Sequence, residues 1–230
     1  MSEDCTLTPV AHIRTDFPTK FGIPRQSGLI KELKGDIVFE PPYRTMDAVR
    51  GLDAFSHIWL IWGFSQSRRE GWSPVVRPPK LGGNEKVGVF ASRSPYRPNP
   101  VGLSLVQLER VLDTPQGPIL RVLGADLVDG TPIYDIKPYL PYVECIPDAR
   151  GGFSEAHKAD RLPVHCPDAL LNALPEDRRA ALLDVLALDP RPAYQADEQR
   201  VYGLYFMDLN VRFTVRSGVL TVLEMTPRQP

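Results

Sequence analysis

Along residues 7–142 the apolar positions recur mostly with a period of two and are punctuated by Gly, Pro, Asn and Asp, which predicts short strands joined by tight turns. Residues 55–62, Phe-Ser-His-Ile-Trp-Leu-Ile-Trp, are apolar on both faces of that period and predict a central strand covered on both sides. In residues 101–112 the apolar side chains fall at 101, 103 and 105 and then at 106, 108 and 112. The phase changes near Leu105-Val106, where a bulge would keep one face turned into a small barrel. After Tyr142 the pattern shifts: residues 143–165 read as loop, and Pro167 opens a helical stretch that Pro175-Glu176-Asp177 restarts and Asp189-Pro190-Arg191-Pro192 ends. From Val201 to Val215 every odd position except Gly203 is apolar, and Ser217-Gly218 leads into 219–223, predicting a hairpin with one buried face.

The expected fold is mainly β: a barrel-like core at residues 1–160, and a small α+β appendage at 165–230. Strands do not alternate with helices as a doubly wound sheet requires. At 43% hydrophobic and 24% charged residues the chain has the material for a sizeable core. Its 24 prolines, about twice the usual share, favour strands and stiff loops over long helices. A formal net charge of −1 excludes a uniformly basic nucleic-acid coat. The charge is uneven, however: residues 68–97 hold seven basic and two acidic side chains, residues 126–148 one basic and five acidic. The acidic, polar start Met1-Ser2-Glu3-Asp4-Cys5 is no targeting signal, and no apolar run approaches the ~20 residues of a membrane span. Three cysteines without a C-x-x-C pair support neither a disulfide framework nor a zinc site, and a soluble, cytoplasmic protein is expected.

The chemistry-bearing motifs are few. The Gly-rich phosphate loops, the G-x-S-x-G elbow and the H-E-x-x-H helix are all missing, and the four histidines lack metal-ligand spacing, so no metal is expected and His57 reads as structural. Residues 91–100, Ala-Ser-Arg-Ser-Pro-Tyr-Arg-Pro-Asn-Pro, form a proline-stiffened track that displays Arg93, Tyr96, Arg97 and Asn99; it is either a pre-organised binding loop or a crossover whose arginines face water. Leu127-Val128-Asp129-Gly130 is a tight turn whose backbone groups are open to a ligand, or an ordinary hairpin turn. Beyond it Asp135, Lys137 and Tyr139 alternate onto one side of an extended segment, bringing together an acid, a cation and an aromatic as candidate catalytic residues. Residues 20–28 carry Arg25, Gln26, Ser27 and Gly28 in a loop longer than a connector needs.

Taken in order, Phe21-Gly22-Ile23-Pro24-Arg25-Gln26, Gly51-Leu52-Asp53-Ala54-Phe55-Ser56-His57, the segments 76–84 and 93–100, and 126–142 resemble the TsaA/TrmO family of S-adenosylmethionine-dependent tRNA methyltransferases. Asp189-Pro190-Arg191-Pro192-Ala193-Tyr194 and Asn210-Val211-Arg212 resemble the C-terminal extension of its bacterial members. Two positions depart: Ser65 stands where the family has His, and Ser92 where Thr is usual. The resemblance implies a non-Rossmann, β-barrel-like methyltransferase that binds S-adenosyl-L-methionine in a dimer cleft, and methylation at N6 of the threonylcarbamoyl-adenosine beside the tRNA anticodon. By match to its motifs, Arg25, Gln26, Ser27, Gly28, Gln66, Ser67, Arg97 and the 127–130 turn are expected to bind the cofactor. Arg93, Tyr96, Asn99, Arg191 and Tyr194 are expected to bind substrate, with Lys137 and Tyr139 near the modified base. Arg200 and Arg212 join Arg191 and Tyr194 as candidates for docking the tRNA anticodon loop, with covering a barrel edge as the other role open to the appendage. A non-catalytic S-adenosylmethionine- or nucleotide-binding regulator is the alternative function, and an anticodon-loop binding module a third.

Overall fold

The computed structural model describes residues 6–67, 71–78, 85–157, 161–191 and 197–228. In the first half, β1 (Ala11–Thr15), β2 (Lys34–Phe39) and β3 (His57–Gly63) are followed by a small antiparallel pair, β4 (Val75–Val76) with β5 (Val87–Gly88). Then come β6 (Val101–Leu112), β7 (Ile119–Leu123) and β8 (Thr131–Pro138). Six of these close an antiparallel barrel in the order β1-β2-β7-β6-β3-β8, with β8 returning to β1 through Ala11 opposite Ile133 and Ile13 opposite Thr131. Closure removes every sheet edge, so no strand end is left for another part of the chain to cover.

Alternation fills the barrel. Ala11 and Ile13, Ile37 and Phe39, Ile58 and Leu60, Val106 and Leu108, Leu120 and Val122, and Ile133 point inward and are buried. In β6 the inward set is even-numbered, Gly102, Ser104, Val106 and Leu108, so no phase change occurs at Leu105-Val106. The irregularity lies three residues on, between Leu108 and Arg110 against β7. Leu103 and Leu105 misled the pattern because they are apolar on the outer face, where Leu103 is 48% exposed. A second irregularity, opposite Ile61 and Trp62, leaves Tyr134 of β8 unmatched. Beyond it Ile136 packs on the barrel core while Asp135 and Lys137 face out. β3 is central as expected, paired on both sides, but its outer face is only half-covered.

The second half begins with a short helix α1 (Pro141–Glu144) and a 3-10 turn at Gly152–His157. It continues with β9 (Val164–His165), α2 (Asp168–Leu171), α3 (Glu176–Ala187), β10 (Tyr202–Phe206), β11 (Leu209–Arg216) and β12 (Val219–Pro227). Proline precedes both α2 and α3, and Glu176 and Asp177 in the first turn of α3 complement the helix dipole. The four strands form a sheet ordered β10-β11-β12-β9, with β9 parallel to β12. The expected single run from 201 to 215 is broken by a tight turn at Met207-Asp208, where Met207 has φ 54°. Before the turn the even positions Tyr202, Leu204 and Phe206 are buried, and after it the odd ones, Leu209, Val211, Phe213 and Val215. Residues 202, 204 and 206 are as apolar as their odd neighbours, so alternation alone could not choose the face.

This C-terminal core is not self-contained. Phe17, Ile30 and Leu33, from the connection between β1 and β2, are buried within it beside Ala181, Leu182 and Val185 of α3. Phe17 meets Phe206 edge-to-face with centroids 5.7 Å apart. The Met207 N–H donates to the Asp16 carbonyl at 2.7 Å, Arg178 of α3 pairs with Asp16 at 3.0 Å, and Lys34 pairs with Asp177 at 2.7 Å. Burial pushes the Asp16 carboxyl above the usual range, and Arg178 opposes that shift. Among the described residues, no helix is long and apolar enough to cross a membrane.

Because Phe17 belongs to both halves of the chain, Phe17→Ala is expected to cost about 3–5 kcal/mol. Barrel and C-terminal sheet should then lose stability together. Thermal melts followed by near-UV and far-UV circular dichroism should show one shared transition at lower temperature.

Candidate functional site

A cleft of about 610 Å³ opens at one rim of the barrel. Its wall is built by three loops. The β1–β2 connection supplies Pro24, Arg25 and Gln26; the segment before β6 supplies Arg93, Arg97, Pro98 and Asn99; and the turn after β7 supplies Asp126. Trp62, Phe64, Phe90, Val101, Gly102 and Leu103 complete the lining.

The floor depends on a glycine. A Cβ on Gly102 would lie 2.2 Å from the Trp62 ring, so only glycine lets the indole lie flat across β6. Trp62 then meets Phe64 at a centroid distance of 4.5 Å, and its Nε1–H donates to the Ser104 hydroxyl at 3.0 Å. Ser104, 1% exposed, donates in turn to Asp126 Oδ1 at 2.6 Å. Burial raises the Asp126 pKa above the ordinary carboxylate value, while the Ser104 hydroxyl, its own backbone N–H, the Arg93 charge and the Ser27 N–H pull it back.

The proline-stiffened loop holds itself by side-chain turns. Ser92 Oγ donates to the Val89 carbonyl at 2.8 Å and accepts from the Ser94 N–H, and the Tyr96 N–H reaches Ser94 Oγ. Arg97 donates to the Ser92 carbonyl at 3.1 Å, and Arg93 to the Gln26 side chain, which joins two cleft walls. Gly28, at φ 75°, donates to the Gly124 carbonyl at 2.9 Å, packing the 25–28 loop onto the start of the Asp126 turn. Three guanidinium groups and one carboxylate thus share a cleft with an aromatic floor.

The structure gathers Arg25, Gln26, Arg93, Arg97 and Asn99 at this cleft, while Ser27 and Gly28 brace it from behind. Gln66 and Ser67 follow Phe64 on the way out of β3, and Gln66 donates to the Pro18 carbonyl at 3.4 Å. Tyr96 sits in the proline-rich loop between Arg93 and Arg97. The 127–130 turn packs against residues 13–17. Leu127 is 1% exposed in the barrel core and its carbonyl accepts from Thr15 Oγ1 at 2.9 Å. The Val128 carbonyl accepts from Thr131, the Asp129 N–H reaches Phe17 and its carboxylate Thr15 N, and the Gly130 N–H donates to Ile13. The Asp129 and Gly130 N–H groups are therefore tied to residues 13–17, and Asp126, just before this turn, lines the cleft.

Asp135, Lys137 and Tyr139 do share one side of an extended strand, but they do not line the cleft. Asp135 and Lys137 form a solvent-facing ion pair of 3.0 Å, and the Tyr139 ring lies edge-on to His57 and Trp59 at 6.3 and 6.2 Å. Arg191 is 16% exposed and closes a two-pronged pair on Asp189 at 2.8 and 2.9 Å, which raises its pKa. Tyr194 lies outside the described residues. Arg200 stacks over the Tyr202 ring at 5.4 Å, and Arg212 pairs with Glu224 at 2.7 Å. The pattern reading passed over Trp62, Gly102, Ser104 and Asp126 as site residues. A glycine inside an apolar strand was the available signal for the first two, since it marks a close approach. Among the described residues no cluster of His, Cys, Asp or Glu is arranged to hold a metal ion.

The fold is a closed antiparallel, non-Rossmann barrel, and its cleft offers guanidinium donors at the rim and an aromatic surface at the floor. The tRNA-methyltransferase O N-terminal domain matches residues 12–145 and the TrmO C-terminal domain residues 160–228, and the chain belongs to the TrmO family. It is 43% identical over 224 residues to the tRNA (adenine(37)-N6)-methyltransferase of Escherichia coli K12, covering 94% of this chain and 95% of that protein. It is 36% identical over 156 residues to a Pyrococcus abyssi protein named "Probable S-adenosyl-L-methionine-binding protein", covering 66% of this chain and 79% of that one. The crystal structure of TrmO from Pseudomonas aeruginosa superposes with a TM-score of 0.77 at 32% identity, covering 97% of this chain and all of that one.

Gly102→Ala should force the Trp62 indole out of its place, with an overpacking cost of about 1–3 kcal/mol. A shift of the tryptophan emission together with a lower melting temperature is the expected outcome. An unchanged spectrum would show that the ring does not rest on this glycine.

Proposed function

We propose that the protein is an S-adenosylmethionine-dependent tRNA methyltransferase that methylates N6 of the threonylcarbamoyl-adenosine beside the anticodon. The observation that carries this reading is the near full-length kinship with the Escherichia coli enzyme, whose name states a methyl transfer to N6 of adenine 37. The cleft fits the cofactor. Arg25, Arg93 and Arg97 offer paired donors for a carboxylate, and Trp62 and Phe64 an aromatic surface for adenine. When bound, S-adenosylmethionine supplies an electrophilic methyl group on a sulfonium.

The chain's own residues bind and orient the two partners. The proline-fixed arginines and the braced 25–28 loop are already ordered, so little conformational entropy is lost when a ligand aligns. The substrate's carboxylate and base are expected at the open side of the same cleft, with Tyr96 and Asn99 of the arginine loop beside it. We assign tRNA docking to the 165–230 region, with Arg200 just before β10 and Arg212 on β11, and place the enzyme in the cytoplasm with its substrate. The protein is further read as a homodimer: Phe90 at the cleft and Tyr142 and Ile146 after β8 are 74%, 85% and 68% exposed, apolar surface that suits a second copy.

Incubation with labelled S-adenosylmethionine and tRNA from cells with and without threonylcarbamoylation, followed by nucleoside mass spectrometry, tests the activity. Methylated threonylcarbamoyl-adenosine should form from the first tRNA only. Cofactor binding without transfer to any RNA would favour a regulator. Arg97→Ala should weaken S-adenosylmethionine binding about ten- to a hundredfold, the equivalent of ~1.5–3 kcal/mol, while the melting temperature barely moves. Wild-type affinity by calorimetry would remove Arg97 from the site. Light scattering across a dilution series should find a dimer at micromolar concentration, as interfaces above about 2,000 Å² sustain. A fully active monomer would defeat that assignment.

A further inference from the structure

Methyl transfer to N6 leaves one proton to be disposed of. The S–CH₃ bond breaks as the N–CH₃ bond forms, the sulfonium becomes a neutral thioether, and the N6–H proton must pass to an acceptor. We propose that this acceptor is the Asp126 carboxylate, a role that rests on the methyltransferase reading above.

Three observations carry it. Among the described residues, Asp126 is the one carboxylate that lines the cleft. Its position is fixed on every side: Ser104 donates to Oδ1 at 2.6 Å, Trp62 Nε1–H fixes Ser104 at 3.0 Å, and the turn that bears it is tied at Gly124, which accepts from Gly28 and donates to Leu33. The carboxylate is thus held by a relay that starts in the aromatic floor. Finally, its surroundings make it a stronger base than a solvated aspartate. Burial raises its proton affinity above that of a solvated aspartate, while Ser104 from β6, the Ser27 N–H from the 25–28 loop, and Arg93 from the proline-rich loop keep the ionised form accessible. Arg25 and Arg97 are the remaining charged side chains that line the cleft. Asp135, the acid of the exposed pair with Lys137, has no such enclosure.

Single-turnover methylation of threonylcarbamoylated tRNA at saturating S-adenosylmethionine, followed from pH 5 to 9, tests the role in the full-length protein. The wild-type rate should rise with pH through an acid limb as Asp126 ionises, because the acceptor must be unprotonated. Asp126→Asn keeps the shape and removes the base. Its rate should fall about 10²-fold or more and lose the limb, with cofactor affinity by calorimetry within about threefold of wild type. Ser104→Ala removes a hydrogen bond that favours the carboxylate, so its limb should move to higher pH while cofactor affinity holds. That variant decides the matter if Asp126→Asn does not fold, since a merely structural contact would leave the limb in place.

An Asp126→Asn protein that keeps more than half the wild-type rate overturns the proposal. So does one that loses cofactor affinity but regains full rate at saturation, which would make Asp126 an anchor for the cationic donor. A wild-type protein that methylates no tRNA at any pH overturns the methyltransferase reading itself, and the proposal with it.

Discussion

The seam between β1 and β8 is the constraint on which the rest depends. Five strand pairings could exist in an open sheet; the sixth, Ala11 against Ile133 and Ile13 against Thr131, makes a barrel of it. The end of β1 then does three jobs in five residues. Ile13 and Thr15 hold the 127–130 turn through the Gly130 N–H, the Asp129 carboxylate and the Leu127 carbonyl. Asp16 takes the Met207 N–H and Arg178, and Phe17 enters the C-terminal core. Barrel closure, the placement of the cleft acid and the docking of the second half are one connected arrangement.

The division of labour within the cleft follows from chemistry. Side chains that recognise charge, Arg25, Arg93 and Arg97, stand on loops, where proline and serine turns limit their freedom without requiring burial. Groups that must be aimed accurately, Trp62, Ser104 and the turn bearing Asp126, are set by strands and by the packing of the barrel. A short-range polar relay buried beside an aromatic floor loses little to water, so the geometry of the acid is governed by the core and not by solvent.

Much of this was legible in the sequence. Period-two alternation gave the mainly β character and the change after Tyr142, and the two prolines at 167 and 175 marked the helix starts. The resemblance located Arg25, Gln26, Arg93 and Arg97, which the structure brings to one cleft. What stayed hidden had physical causes. Leu103 and Leu105 are apolar on the outer face, so they imitated a phase change that occurs instead beyond Leu108. Tyr202, Leu204 and Phe206 competed with the odd positions for burial, and the left-handed turn at Met207 carries none of the usual glycine or asparagine. The Asp129-Gly130 turn reads as a tight turn in the sequence, but that its two N–H groups are tied to Phe17 and Ile13 is a long-range contact the pattern does not carry. Asp126, three residues earlier, gains its meaning only from the long-range contact with Ser104.

The barrel is pinned unequally around its girth. β3 faces β6 over seven residues, from His57 opposite Gln107 to Gly63 opposite Val101, whereas β1 meets β8 over three. A cylinder closed by one short stave opens there first, because the fewest ladder bonds must break together. The 127–130 turn hangs from that stave, so a brief parting of β1 from β8 would release the turn without melting the barrel. Hydrogen exchange at the Asp129 and Gly130 amides, bonded to Phe17 and Ile13, therefore clocks how often this seam parts.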